Sequence, residues 1–351
     1  MSALRYRTLD AALARGLVPD SALRAGSVFG AYARERAESR GGVGAQEERL
    51  NAIVETKSSG PVAEVPEAAN EQHYELPPEF LGLFLGPRRK YSSCFFEHER
   101  TTLAEAEEAM LALTCERAKI ADGQRLLELG CGWGSLTLWL AEHYPNADIV
   151  AVSNANNQRE FIERQAAERG FQNLTVITAD MNDFEPEGEF DRVVSVEMFE
   201  HMRNWKELLR RISTWLAPEG KLFVHVFSHR TLPYLFEGTW AAERFFTGGV
   251  MPSHDLLSRF ADDMAVKESW IVPGTHYART LQEWLKKLDT HRDEALAILG
   301  RDGRSDSEAK ALLGGWRLFI LSTDKIWGYR GGNRWLVSHY LLEARQPPDG
   351  R

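Results

Sequence analysis

Between residues 124 and about 228, short apolar runs alternate with stretches whose apolar side chains recur at helical spacing. The runs at 125–129, 148–152, 174–178, 191–196 and 221–227 read as strands. The stretches 135–144, 157–169 and 203–216 read as helices. Such alternation predicts an α/β fold with a parallel sheet covered on both faces. Upstream, 102–119 reads as a helix: a Thr102 cap, early Glu105, Glu107 and Glu108, and Leu103, Ala106, Met110 and Leu113 on one face. Shorter amphipathic patterns start at Leu9 and Phe29, and 54–70 reads as a linker. Beyond 228 the pattern becomes irregular and aromatic, with eight of the ten tryptophans at or after Trp205. Aromatic walls of that kind suit either a core or a ligand pocket. The stretch 325–342 reads as a closing hairpin with Gly331-Gly332 as its turn.

One segment organises the rest. Leu126 and Leu127 end an apolar run, Gly130, Gly132 and Gly134 form a turn, and a helical pattern starts at Ser135. Strand, glycine turn and helix is where an open α/β sheet binds a nucleotide-like ligand. A dinucleotide fingerprint needs its third glycine at position 135, which is Ser135. No carboxylate follows the second strand at Ser153-Asn154 either, which speaks against NAD. Instead the turn spells E-x-G-x-G-x-G from Glu128, resembling the first motif of class I S-adenosylmethionine methyltransferases.

Composition narrows the classes. A hydrophobic share of 43% in 351 residues supports a substantial core. The net charge of −9 disfavours nonspecific nucleic-acid binding. Cys94, Cys115 and Cys131 have no C-x-x-C spacing, which argues against a zinc site or disulfide framework. No signal-peptide pattern and no spanning apolar run is present, so the expectation is a soluble cytoplasmic protein. Residues 1–40 carry seven arginines against four acidic residues. That basic arm suits a solvated helical face, a lid, a homodimer contact or a membrane-surface contact.

Further stretches identify a family. They are Tyr91-Ser92-Ser93-Cys94-Phe95-Phe96, Thr101-Thr102-Leu103 with Glu105-Ala106, Val196-Glu197-Met198-Phe199-Glu200-His201-Met202, and the tail from Trp316 to His339. With the glycine turn, they resemble the cyclopropane-fatty-acid-synthase-like methyltransferases, most of all the coclaurine and pavine N-methyltransferase branch. The resemblance implies a Rossmann-like, seven-stranded, mostly parallel sheet with a C-terminal antiparallel hairpin. It implies a helical lid over 1–90 and a methyltransferase domain over 91–351, with a cap insertion at about 230–315. The cofactor implied is S-adenosylmethionine, with S-adenosylhomocysteine as product.

Within that frame, Gly130, Gly132 and Gly134 allow close backbone approach. By resemblance, Tyr91 and Ser92 cover the methionine moiety, and Gln158 joins Ser153 and Asn154 at the ribose. Helix capping is the other reading of these three. Asp180 and Met181 stand where adenine usually binds. Glu197, Glu200 and His201 fall at i, i+3 and i+4, hence on one face of a helical turn. Carboxylates can attract an ammonium substrate and a histidine can take its proton. The expected reaction is methyl transfer to a small cyclic or aromatic amine, with Glu75, His225, Trp316 and Phe319 lining the substrate pocket. The alternative is lipid methylation or cyclopropanation. Enzymes of that branch hold a bicarbonate-like base with a Cys, the Glu of Phe-Glu-His, a His on the fifth strand and a C-terminal Tyr. Here Glu200 and His225 match, but Ser93 stands at the Cys position and Phe319-Ile320 at the Tyr position.

Overall fold

The computed structural model describes residues 6, 11–13, 15–64, 76–301 and 303–345. Its centre is a seven-stranded sheet in the order β3-β2-β1-β4-β5-β9-β8. The strands are β1 (Arg125–Leu129), β2 (Asp148–Ser153), β3 (Leu174–Thr178), β4 (Phe190–Val196), β5 (Leu216–His229), β8 (Met264–Pro273) and β9 (Trp335–Ala344). The first five run parallel, and β9 is antiparallel to both β5 and β8. In β2, Ile149, Val150, Ala151 and Val152 are all buried, as a strand covered on both faces requires. The long β5 begins earlier than its apolar run, because Leu216 pairs with Phe190 ahead of a register shift.

The helices form where local chemistry starts them. Helices α1 (Asp20–Glu38), α2 (Gly42–Thr56) and α3 (Pro78–Phe84) precede the sheet. Helix α4 (Leu103–Arg117) opens on a capping box between Thr102 and Glu105. Helices α5 (Ser135–His143), α6 (Asn156–Arg169) and α7 (Trp205–Trp215) connect the parallel strands. After β5 come the short pair β6 (Tyr234–Leu235) and β7 (Val250–Met251), with α8 (Trp240–Phe245) between them. Helices α9 (Gly274–Thr290), α10 (Arg292–Leu299) and α11 (Asp306–Trp327) then separate β8 from β9.

This last stretch departs from the sequence expectation. Residues 325–327 are the end of α11, not a strand, so Gly331-Gly332 joins a helix to β9. A second capping box, Ser305 with Glu308, starts α11, and its buried positions Leu313, Trp316, Ile320 and Trp327 continue at helical spacing. The antiparallel partner of β9 is β8, far upstream, so the pairing is non-local.

Packing places the core on both sides of the sheet and beyond it. Leu127, Val193, Leu208 and Val224 pack on one side; Leu126, Ile149, Val194 and Phe223 pack on the other. A third, aromatic cluster joins α3, α9 and α11 through Phe80, Phe84, Trp284 and Trp316. Helix α1 is tied to α11 by Arg24–Asp324 at 2.7 Å and Asp20–Arg317 at 3.0 Å. No described helix is long and apolar enough to cross a membrane.

Candidate active site

The site lies beyond the carboxyl ends of β1, β2 and β4, where strand order reverses about β1. The Gly130 and Cys131 N–H groups both donate to the Val152 carbonyl, at 3.0 and 2.9 Å. Gly134 has φ +76°, and a Cβ there would sit 2.5 Å from the Ile162 side chain. Gly132 also has positive φ, +52°, but a Cβ there would enter open space. The bare backbone at 132 therefore faces the cavities themselves.

Two cavities flank this turn. The smaller, about 90 Å³, is lined by Gly130, Gly132, Ser153, Asn154, Gln158, Asp180 and Met181. The sequence-derived ribose and adenine residues are thus brought together. The Ser153 hydroxyl donates to Gln158 Oε1 and accepts from the Ala155 N–H, while the N-cap position of α6, Ala155, makes no side-chain cap bond, so these residues position one another and do not cap the helix. Gln158 Nε2 is buried and finds no hydrogen-bond partner among the described residues. A buried amide donor left unsatisfied costs about 1–3 kcal/mol, which a ligand hydroxyl would offset. With the glycine cradle, this donor set fits S-adenosylmethionine. Asp180 accepts from the Asn182 N–H at 2.8 Å, and Asn182 in turn exchanges hydrogen bonds with the Ala63 backbone. Ala63 is a wall that sequence reasoning missed, since only the folded chain brings it there.

The larger cavity, about 580 Å³, takes in Tyr91, Ser92, Glu197, Glu200 and His201. Phe236, Phe246, Tyr277, Phe319 and Trp327 supply aromatic wall. Gly130, Gly132, Glu197 and His201 line both cavities and mark where they meet. Tyr91 is stacked on Trp284 at 5.6 Å. Its loop is organised from behind by the buried Glu107 carboxylate, which accepts from the Gly86, Arg88 and Lys90 N–H groups.

Glu197, Glu200 and His201 share the cavity by a different geometry from the expected helical face. Glu197 is in the left-handed region at φ +48°, and Phe199–His201 form a single 3-10 turn. The left-handed residue turns the chain sharply off β4, so one turn suffices to bring the three together. The turn is anchored by the N-terminal segment. Lys57 Nζ donates to the Met202 carbonyl at 2.7 Å, and Val62 O accepts from Arg203 N at 2.7 Å.

The electrostatics are those of a desolvated acidic pair. Burial pushes the Glu197 carboxyl up to about 7, against the opposing pull of Lys90, the Tyr277 hydroxyl and the Ser93 N–H. Tyr277 Oη donates to Glu197 Oε2 at 2.7 Å. Burial, then the neighbouring Glu197 charge, pushes Glu200 well above the usual carboxylate range. Glu197 Oε1 and Glu200 Oε2 are buried and without hydrogen-bond partners among the described residues. Glu128 also lines this cavity; it accepts from Thr137 Oγ1 at 2.6 Å, and burial raises its carboxyl to about 8. The His201 ring stacks with Phe246 at 6.2 Å.

Two sequence-derived pocket residues fall elsewhere. Trp316 is only 1% exposed and packs behind the wall, 6.1 Å from Phe319 and 6.2 Å from Tyr91. Its position on α11 points it into the aromatic core. His225 is fully buried behind Glu197, with Nε2 3.4 Å from Glu197 Oε1. Glu75 lies outside the described residues. Conversely, Lys90, Tyr277 and Glu128 are site residues that sequence reasoning did not assign; only Glu128, inside the glycine motif, carried a local signal.

Comparison with known proteins accords with this geometry. Residues 64–305 match the family model described as mycolic acid cyclopropane synthetase. The (S)-coclaurine N-methyltransferase of Thalictrum flavum subsp. glaucum is 40% identical over 291 residues, 81% of each chain. The pavine N-methyltransferase of the same plant is 35% identical over 290 residues, 81% of this chain and 82% of the relative. A crystal structure of coclaurine N-methyltransferase bound to N-methylheliamine and S-adenosylhomocysteine superposes with a TM-score of 0.91 at 35% identity, covering 96% of this chain and 99% of that one. The matched family model, the relatives and the superposed structure place this chain in the mycolic acid cyclopropane synthetase family, as an S-adenosylmethionine-dependent methyltransferase.

Proposed function

We propose that the chain methylates the nitrogen of a small cyclic or aromatic amine. The observation that carries this reading is the pair of buried carboxylates, Glu197 and Glu200, each with an unpartnered oxygen, beside His201 at the junction of the two cavities. A desolvated acidic pair next to an aromatic wall favours an apolar cation. The coclaurine and pavine relatives, whose names specify N-methylation, support the same reading.

When bound, S-adenosylmethionine supplies an electrophilic methyl group on a sulfonium. The chain's own residues prepare the nucleophile. An amine arrives as its ammonium and has no lone pair until it gives up a proton. Glu197 attracts the cation and holds its N–H, oriented by Tyr277. His201, beside Glu200, receives the proton, which leaves the amine lone pair free at the cavity junction. Gly130 and Gly132 keep the backbone low there, so that donor and acceptor can approach. Ser153, Asn154, Gln158, Asp180 and Met181 hold the nucleoside, and Tyr91 and Ser92 close over the methionine end. Residues 1–90 serve as a lid on the 91–351 domain, with the cap at about 230–315; the lining of the large cavity by Ser27, Gly30 and Arg34 of α1 supports that division.

The lipid alternative has less support. Ser93 Oγ donates to the Cys94 carbonyl and is buried, while Phe319 presents a ring instead of a hydroxyl. The test is substitution of the pair. Glu200→Ala and His201→Ala should each lose methyl transfer to an accepted amine while calorimetry shows unchanged S-adenosylhomocysteine affinity. Full turnover in both variants would contradict the reading.

A further inference from the structure

Behind Glu197 runs a chain of side chains, buried except for its half-buried end at Arg117, that takes no part in the steps above. Arg117 Nη1 lies 2.8 Å from His339 Nδ1, and His339 Nε2 lies 2.9 Å from His225 Nδ1. His225 Nε2 then lies 3.4 Å from Glu197 Oε1. The chain is built into the sheet: His225 pairs across β5 and β9 with His339, and His339 pairs across β9 and β8 with Trp270. Arg117 ends α4, and its guanidinium sits 5.1 Å over the Trp270 ring, which fixes the donor end. Both imidazoles are fully buried.

The polarity of this chain follows from elementary donor chemistry. A guanidinium has no acceptor, so the Arg117 contact makes His339 Nδ1 an acceptor. Neutral His339 then carries its proton on Nε2 and donates it to His225 Nδ1. Neutral His225 must likewise carry its proton on Nε2, facing Glu197 Oε1. We propose that Arg117 and His339 are positioning residues for methyl transfer, which lock His225 in the Nε2–H tautomer so that it faces Glu197 as a donor. The inference deepens the N-methyltransferase reading, and its kinetic arm rests on it.

Glu197 accepts from Tyr277 at Oε2, while Oε1, without a hydrogen-bond partner among the described residues, faces His225 Nε2 at 3.4 Å on the side away from the cavity junction. His225 is excluded as the general base, because its Nδ1 lone pair is already occupied by His339. Burial, with Lys90 and Arg117 nearby, also opposes a charge on His225 and holds it well below the usual imidazole range.

Histidine-labelled protein tests the tautomers without any substrate. Long-range nitrogen–proton NMR of the wild type should show His225 and His339, assigned by single substitutions, each protonated at Nε2 with a bare Nδ1. A proton on His225 Nδ1 overturns the proposal. In the kinetic arm, His339→Leu should lower kcat about tenfold or more through misorientation of Glu197. His339→Gln, whose amide offers an acceptor and a donor, should recover most of that loss. Wild-type kcat in His339→Leu, or no recovery in His339→Gln when both fold and bind S-adenosylhomocysteine, also overturns it. If no amine is methylated at all, the N-methylation reading fails while the NMR result still decides the tautomers.

Discussion

Glu197 is held to His225 at two points: its backbone N–H donates to the His225 carbonyl at 2.8 Å, and its Oε1 lies 3.4 Å from His225 Nε2. Both contacts are made with the backbone at residue 197 in the left-handed region, φ +48°. A non-glycine residue there costs about 1 kcal/mol or more. The strained residue is the one whose carboxylate the proposed reaction uses.

Removing the charge separates the backbone from the chemistry at this position. Glu197→Gln should keep the fold and S-adenosylhomocysteine binding but lower kcat about 100-fold, since it can neither attract the cation nor hold its proton. Glu197→Gly should relieve the backbone strain and be at least as stable thermally, yet be equally inactive. Steady-state kinetics and thermal melts of the two variants check this.

Stability should fall with rising pH through the buried carboxyls. Glu128 has a folded pKa raised by burial to about 8, above the ordinary 4.5. A raised acid binds its proton more tightly folded than unfolded, so its contribution is intact below about 4.5 and is lost as pH rises toward 8. The slope is about 1.4 kcal/mol per pH unit at most. Glu128→Gln should flatten the decline between pH 5 and 8, measured by urea unfolding; an unchanged slope would show that Glu128 is not the source. Glu197, raised to about 7, contributes the same sign over a narrower window.

The glycine turn makes a prediction that distinguishes strain from occlusion. Gly132→Ala meets no neighbour, so it should cost about 1–2 kcal/mol from its positive φ alone. Its methyl enters the cavity junction, so S-adenosylhomocysteine affinity by calorimetry should drop more than tenfold. Gly134→Ala collides with Ile162 at 2.5 Å and should instead be mainly a stability defect.

Helix α1 lines the large cavity and is fastened to α11 by Arg317, which bridges Asp20 and Asp289. Partly exposed pairs of this kind contribute about 0.2–1 kcal/mol. Asp20→Asn should therefore raise KM for the amine about two- to fourfold with little change in kcat, and added salt should narrow the gap to wild type. A loss confined to kcat would contradict a role for α1 as a lid.

The legible parts of this molecule are local ones. The glycine turn from Leu126 to Gly134, the parallel strands, and Phe199-Glu200-His201 all announce themselves within a few residues. The β8–β9 pairing does not, because its partners are separated by three helices. A short stretch such as Lys325-Ile326-Trp327 fits either a strand or a helix end, and the structure makes it the last turn of the helix that the Ser305 capping box starts. Lys90, Tyr277 and His339 carry no sequence signal of their own. Their importance comes from what tertiary packing sets beside them: Ser92, Glu197 and His225. Trp316 shows the converse, an aromatic residue whose helical position sends it into the core.

The most direct measurement is mass spectrometry of purified enzyme given S-adenosylmethionine with a deuterated methyl group, together with a panel of cyclic amines and unsaturated phospholipids. The expected result is label on the nitrogen of one or more amines, absent when Glu200→Ala replaces the wild type. Label found only in lipid acyl chains, or undiminished amine labelling by Glu200→Ala, would contradict amine methylation at the Glu197, Glu200 and His201 site.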